Sequence, residues 1–115
     1  MYEVEFYGTE NGRSPAAEFI DGLQPKMKAK VLRTIDLLEQ YGPSLREPYS
    51  KSLNGGIFEL RIKLGSDISR VLYFFFIGKK VVLTNGFIKK TQKTPSEVIE
   101  TAKKYKIDYE RRNGK

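Results

Sequence analysis

The sequence predicts an α+β domain in which an N-terminal strand and a helical hairpin pack on an antiparallel meander sheet, closed by a C-terminal helix. Two observations carry this. Between Ile57 and Ile88, three apolar or alternating runs, IFELRIKL, ISRVLYFFFI and VVLTNGFI, are separated by GSD and GKK. Each is eight to ten residues long and rich in Ile, Val, Phe or Tyr, the pattern of strands joined by short hairpins. Around them lie segments of helical period with recognisable starts at Ser14-Pro15, Pro25 and Thr94-Pro95-Ser96-Glu97.

In chain order, Tyr2 to Tyr7 alternates, with Tyr2, Val4 and Phe6 on one side and Glu3, Glu5 and Tyr7 on the other, so it reads as an edge strand with one wet face. Ser14 and Pro15 are an N-cap and a first helical residue, and the short helix they open stops at Gly22. Pro25 opens a longer helix whose stripe is Met27, Val31, Ile35 and Leu38, widened by Leu32, with Lys26, Lys28, Lys30 and Arg33 outside. Gly42-Pro43 ends it. Ser44 to Ser52 lacks a period and reads as an ordered loop, in which Arg46, Tyr49 and Lys51 are placed to reach a ligand; covering the core edge is the other role open to Tyr49. Thr94 to Glu97 fits a capping box, and the final helix continues through Val98, Ile99, Ala102 and Tyr105. Residues 105–115 are expected to fray. With no repeat or linker, residues 1–115 make a single domain.

The meander gathers charge. A two-residue turn after Ile77 pairs Arg70 with Phe87 and places Lys89 beside Ile68 on the same face. At the other hairpin, a two-residue turn at Gly65-Ser66 sets Arg70 opposite Arg61, and a three-residue turn sets it opposite Ile62; the first shares the basic side and is preferred. Like charges facing one another are unfavourable alone but suit an intervening anion such as a phosphodiester. The plainer reading makes Arg61, Lys63 and Arg70 a solvated sheet face neutralised by Glu59 or Asp67.

Composition narrows the chemistry. The chain has neither cysteine nor histidine, which removes disulfides, thiolate sites and the usual proton shuttle, so no metal or other cofactor is expected. No run is long enough to span a bilayer, and the first twenty residues carry Glu3, Glu5, Glu10 and Glu18 in place of a basic and apolar leader, so no membrane association and a cytoplasmic location are expected. The net charge is +7, and Lys79, Lys80, Lys89, Lys90 and Lys93 fall in one acid-free stretch. Such asymmetry points to a polyanionic partner.

From Phe19 to about Lys104, the segments FIDGLQPKMKAKVLRTIDLLEQYG, GIFELR, the isolated Arg70 before an aromatic run, and GFIKKTQKTP together resemble the RelE/ParE superfamily of toxins from type II toxin–antitoxin systems, most closely its phage-derived, HigB-like branch. The resemblance implies a RelE-like, microbial-ribonuclease-like fold. It also implies inhibition of translation by cleavage of mRNA in the ribosomal A site, and a cognate helix-turn-helix antitoxin that blocks the basic face. Matching positions carry over Arg61, Lys63, Arg70 and Lys89 as candidate catalytic residues, with Lys90 completing the final basic pair. The histidines of some HigB-like members and the late tyrosine of some RelE-type members have no counterpart here.

Metal-independent RNA cleavage by the ribose 2′-hydroxyl needs a base, stabilisation of charge on phosphorus and an acid for the leaving oxygen. Arg61 and Arg70 suit the stabilising role. Crowding of like charge is what would suit Lys63 or Lys89 to proton transfer, with Glu59 the alternative base. Phe87 is placed to stack on a base, or to be core. Lys51, Lys90 and Lys93 extend the RNA-binding set, and Lys26, Lys30 and Arg33 form a second basic face for ribosomal RNA. Two other functions fit the same layout: a ParE-like, non-hydrolytic inhibitor of DNA gyrase, and a degenerate toxin acting as co-repressor with its antitoxin.

Overall fold

The computed structural model describes residues 1–88 and 93–114. The chain runs β1 (Glu3–Phe6), α1 (Pro15–Asp21), α2 (Pro25–Tyr41), a 3-10 turn (Gly42–Ser44), β2 (Ser50–Ser52), β3 (Phe58–Leu64), β4 (Asp67–Phe76), β5 (Lys80–Ile88) and α3 (Ser96–Arg112). The five strands form one mixed sheet in the order β1-β5-β4-β3-β2, with β1 parallel to β5 and every other pairing antiparallel. The predicted α+β class and meander are present. The segment expected to be a loop instead ends in a three-residue strand, Ser50–Ser52, bonded to β3.

Alternation along the strands builds two cores. Leu60, Ile62, Val71, Tyr73, Val81 and Leu83 meet Ala16 and Ile20 of α1 and Met27, Val31, Ile35 and Leu38 of α2. Ile57, Leu72, Phe74 and Val82 face the other way, toward Ile99, Ala102 and Tyr109 of α3. The sheet is thus sandwiched, and the charges of β3 and β4 share their face with α3.

One expectation about a helix face changes. Leu32, assigned to the stripe of α2, is 44% exposed; Thr34 is buried instead, its hydroxyl bonded to the Lys30 carbonyl at 2.8 Å. The helical period of 3.6 residues puts Thr34 between Val31 and Leu38, and its backbone bond removes the cost of burying a hydroxyl.

Of the tail expected to fray, residues 105–112 belong to the last helix. α3 continues to Arg112, because Tyr109 is buried against Phe74 and Phe76 and its hydroxyl donates to Glu5. Tyr7, expected on a wet face of β1, is buried, stacks on Tyr105 at 4.6 Å between ring centroids and donates to Asp108 at 2.6 Å. In sequence the edge strand looks wet because the helix that covers it lies far along the chain, at 101 positions' separation for Tyr7 and Asp108.

Glycine is required at two close approaches. Gly42, at φ 52°, ends α2 where a Cβ would enter the Tyr2 ring. Gly86 on β5 lets the Phe19 ring of α1 lie on the strand, where a Cβ would also meet the Arg70 carbonyl oxygen at 2.9 Å.

Candidate functional site

The charged cluster is assembled by strand register. β3 and β4 pair without interruption from Phe58↔Tyr73 to Leu64↔Asp67, which sets Arg61 opposite Arg70 as preferred from the sequence. Arg70 also faces Phe87 as expected, but by a different route. The β4–β5 turn encloses three residues, because Phe76 pairs with Lys80, and a bulge at Leu72/Tyr73 then returns the register. A three-residue turn without that bulge would shift β5 by one position and turn Phe87 to the opposite face. Thr84, the extra residue, is buried and its hydroxyl caps the Leu72 carbonyl at 3.1 Å.

On this face the buried Glu59 and Arg70 and the partly exposed Arg61 form one ionic group. The Glu59 carboxylate lies 3.2 Å from Arg61 Nε and 3.9 Å from an Arg70 terminal nitrogen. Arg70 Nη1 donates to the Thr94 hydroxyl at 3.1 Å, and that hydroxyl donates to Glu59. The Arg70 guanidinium carbon stands 5.8 Å from the centroid of the half-buried Phe87 ring, a cation–π contact in a desolvated place. Burial lowers the Arg70 pKa; the Glu59 charge opposes that shift and the Arg61 charge adds to it. The guanidinium stays protonated, since arginine starts far above neutrality.

Exposure separates the two arginines. The side chain of Arg70 is 0% exposed and that of Glu59 1%, whereas Arg61 is 18% exposed. The sequence suggests Arg70 as a phosphate-gripping residue, but in this conformation it touches protein groups and has no contact with solvent. That expectation requires an uncovered sheet face; α3 packs on this face, and Thr94, two residues before it, lies against Arg70 and Glu59. The plainer reading of a solvated face fails for Arg70 for the same reason but holds for the exposed Lys63 and the partly exposed Arg61, and it names Glu59 as the neutralising carboxylate correctly.

Other candidates divide by position. Lys51 pairs with Glu59 across β2–β3, and Lys63 pairs with Ile68 across β3–β4. Facing residues of an antiparallel pair share a face, so both lysines belong to the Arg61 side, and both are exposed. Lys93, also exposed, precedes Thr94. Lys26, Lys30 and Arg33 lie on α2, across the sheet from Arg61, and form a separate surface. Lys30 donates from Nζ to the Lys63 carbonyl oxygen, tying α2 to the end of β3. Lys89 and Lys90 lie outside the described residues. Tyr49 is 46% exposed and does not seal the core edge.

Sequence reasoning misses Thr94 and the central position of Glu59. Thr94 is expected to cap α3, but α3 begins at Ser96 without a side-chain cap, and the Thr94 hydroxyl is spent on Glu59 and Arg70 instead. A usable signal exists. An acid alternating with cations on one strand face, in a chain that must also bury an amphipathic C-terminal helix, indicates a face covered from above. Among the described residues, no three Asp or Glu side chains come together as a metal site would need, and no helix is long and apolar enough to cross a membrane.

No curated protein is similar enough to this chain to count as a match. The model of the family described as phage-derived protein Gp49-like (DUF891) does match, over residues 18–106. That span runs from α1 into α3 and includes Glu59, Arg61, Arg70, Phe87 and Thr94. The chain belongs to the phage-derived Gp49-like family.

Proposed function

We propose that this protein is the toxin of a type II toxin–antitoxin pair and arrests translation as a ribosome-dependent mRNA endoribonuclease. The family is a toxin-like one. The observation that carries the reading is the charge balance of the cluster: among the described residues, two guanidinium groups meet one carboxylate, and the outer, partly exposed guanidinium of Arg61 shares its face with the exposed Lys51 and Lys63. A site of that kind favours an anion that spreads charge over several oxygens.

In the proposed reaction, the ribose 2′-hydroxyl attacks the adjacent phosphorus and the 5′-oxygen leaves. Arg61 holds the non-bridging oxygens as negative charge grows there. Lys63 and the neighbouring lysines, with Lys89 carried over from the family resemblance, supply proton transfer and further counter-charge. The ribosome aligns the mRNA, a contribution worth about 7–11 kcal/mol in favourable cases. The basic face of α2 meets ribosomal RNA, and a helix-turn-helix antitoxin silences the toxin in the cytoplasm.

The test is inducible expression of the wild type and Arg61→Ala, following growth and newly formed mRNA 5′ ends together. Growth arrest with codon-phased ends in the wild type, both lost in the variant, is the expected result. A second reading, a non-hydrolytic gyrase inhibitor, is favoured by one observation: Arg70 is sealed from solvent. Arrest with intact transcripts and damaged DNA would replace the nuclease reading with that one.

A further inference from the structure

We infer that Thr94, Glu59 and Arg70 act as a positioning relay that sets the orientation of Arg61, so that the surface guanidinium is aimed from beneath by groups that never touch the substrate. The relay rests on the proposed RNA-cleaving site and gives its members roles within it. Arg61 sits on a strand, but its reach is a flexible side chain with about 2 kcal/mol of rotamer entropy to lose. A surface arginine left to itself samples many directions. Here its Nε is 3.2 Å from a carboxylate oxygen of the buried Glu59, an ion pair that holds one edge of the fork.

Glu59 needs fixing in turn, and two groups do it on its other oxygen. Thr94 donates to Oε1, and Arg70 approaches the same oxygen at 3.9 Å while donating to the Thr94 hydroxyl at 3.1 Å. The two carboxylate oxygens therefore divide the work, with Oε1 facing the buried side and Oε2 facing Arg61. Thr94 is the junction because its single hydroxyl both donates and accepts. The same residue lies two positions before the start of α3, so seating this helix and aiming Arg61 are one event. Arg70 is accordingly a positioning residue: its charge compensates Glu59 in a place without water, where an unpaired carboxylate would be costly.

Substitutions at Thr94 separate this role from simple stability. Thr94→Val keeps the shape and removes the hydroxyl, and Thr94→Ser keeps the hydroxyl. Two readouts apply to each: hydrogen exchange of the Arg61 Nε–H by NMR on the isolated protein, and cleavage kinetics on programmed ribosomes. Thr94→Val is expected to speed exchange at Arg61 Nε–H and lower kcat about tenfold with KM little changed, since the lost interaction is one of aim. Thr94→Ser should restore both. Glu59→Ala, which removes the acceptor altogether, is expected to release the Arg61 signal whether or not Thr94→Val folds. An Arg61 signal unchanged in folded Thr94→Val, or unchanged in Glu59→Ala, would overturn the relay. Absence of cleavage by the wild type would retire the nuclease reading, and the NMR comparison would still decide whether the relay exists.

Discussion

Arg61 and Arg70 face one another across two strands, yet the same substitution should do different things to them. Arg70→Ala leaves Glu59 buried with one cation fewer and empties space beside Phe87. Breaking a buried pair in this way costs about 3–5 kcal/mol, which a urea titration would register as a large drop in midpoint. Arg61→Ala should cost clearly less stability, because its side chain already meets water, while removing the guanidinium proposed to hold phosphate. If the two variants unfold at the same urea concentration, the division of labour between them is wrong. The arrangement also explains why two like charges tolerate facing positions: the carboxylate two residues earlier on β3 projects to the same face and reaches both.

At the scale of elements, α3 is held at both ends. Its start is tied to Glu59 through Thr94, and its last turns are tied to β1 and the residue after it through Tyr109–Glu5 and Tyr7–Asp108. The hydrogen bond from Tyr7, then that from Arg112, hold the Asp108 carboxyl down from 3.8 to about 2. Its folded pKa lies below the unfolded value, so the stabilisation is complete above about pH 4 and lost as pH falls toward 2. Tyr7 shifts the other way, to about 12, mainly through burial and then through Asp108. That raised value means stability intact below about pH 10 and lost as pH rises toward 12. Asp108→Asn should therefore flatten the acid limb of the stability profile between about pH 4 and 2, and Tyr7→Phe should flatten the alkaline limb; thermal melts across pH would test both.

The α1 contact gives a second element-level test. Gly86→Ala drives a methyl into the Phe19 ring and the Arg70 carbonyl, an overpacking expected to cost about 1–3 kcal/mol. Denaturation would measure the loss. Gly86→Ala combined with Phe19→Leu should recover part of it, and failure to recover any would place the strain elsewhere.

For the molecule as a whole, the net charge is +7, and among the described residues the cations of α2 and those around Arg61 lie on opposite sides of the sheet. Contact with RNA through about four phosphates predicts a binding constant that falls about tenfold or more between about 0.1 and 0.3 M salt. Replacing Lys26 and Arg33 with glutamine should reduce that salt slope for ribosome association and leave the Arg61 Nε–H exchange rate untouched. A slope unaltered by those changes would remove α2 from the interface.

Local periodicity and turn chemistry along the chain were enough for the class of fold, the meander and the starts of α1 and α2; they favoured the facing of Arg61 with Arg70 over one other register, and strand pairing in the fold settled it. It reached the Arg70–Phe87 pairing through a turn one residue too short, an error that the bulge at Thr84 cancels. Solvent access was settled by how the distant elements pack. Whether Glu59 and Arg70 are wet or sealed, whether Tyr7 is edge or core, and whether Thr94 caps a helix or holds a carboxylate all depend on where α3 comes to rest. Strand alternation tells which residues share a face; it carries no information about which distant element covers that face, and burial is what turns a charged strand from a surface into an internal ionic network.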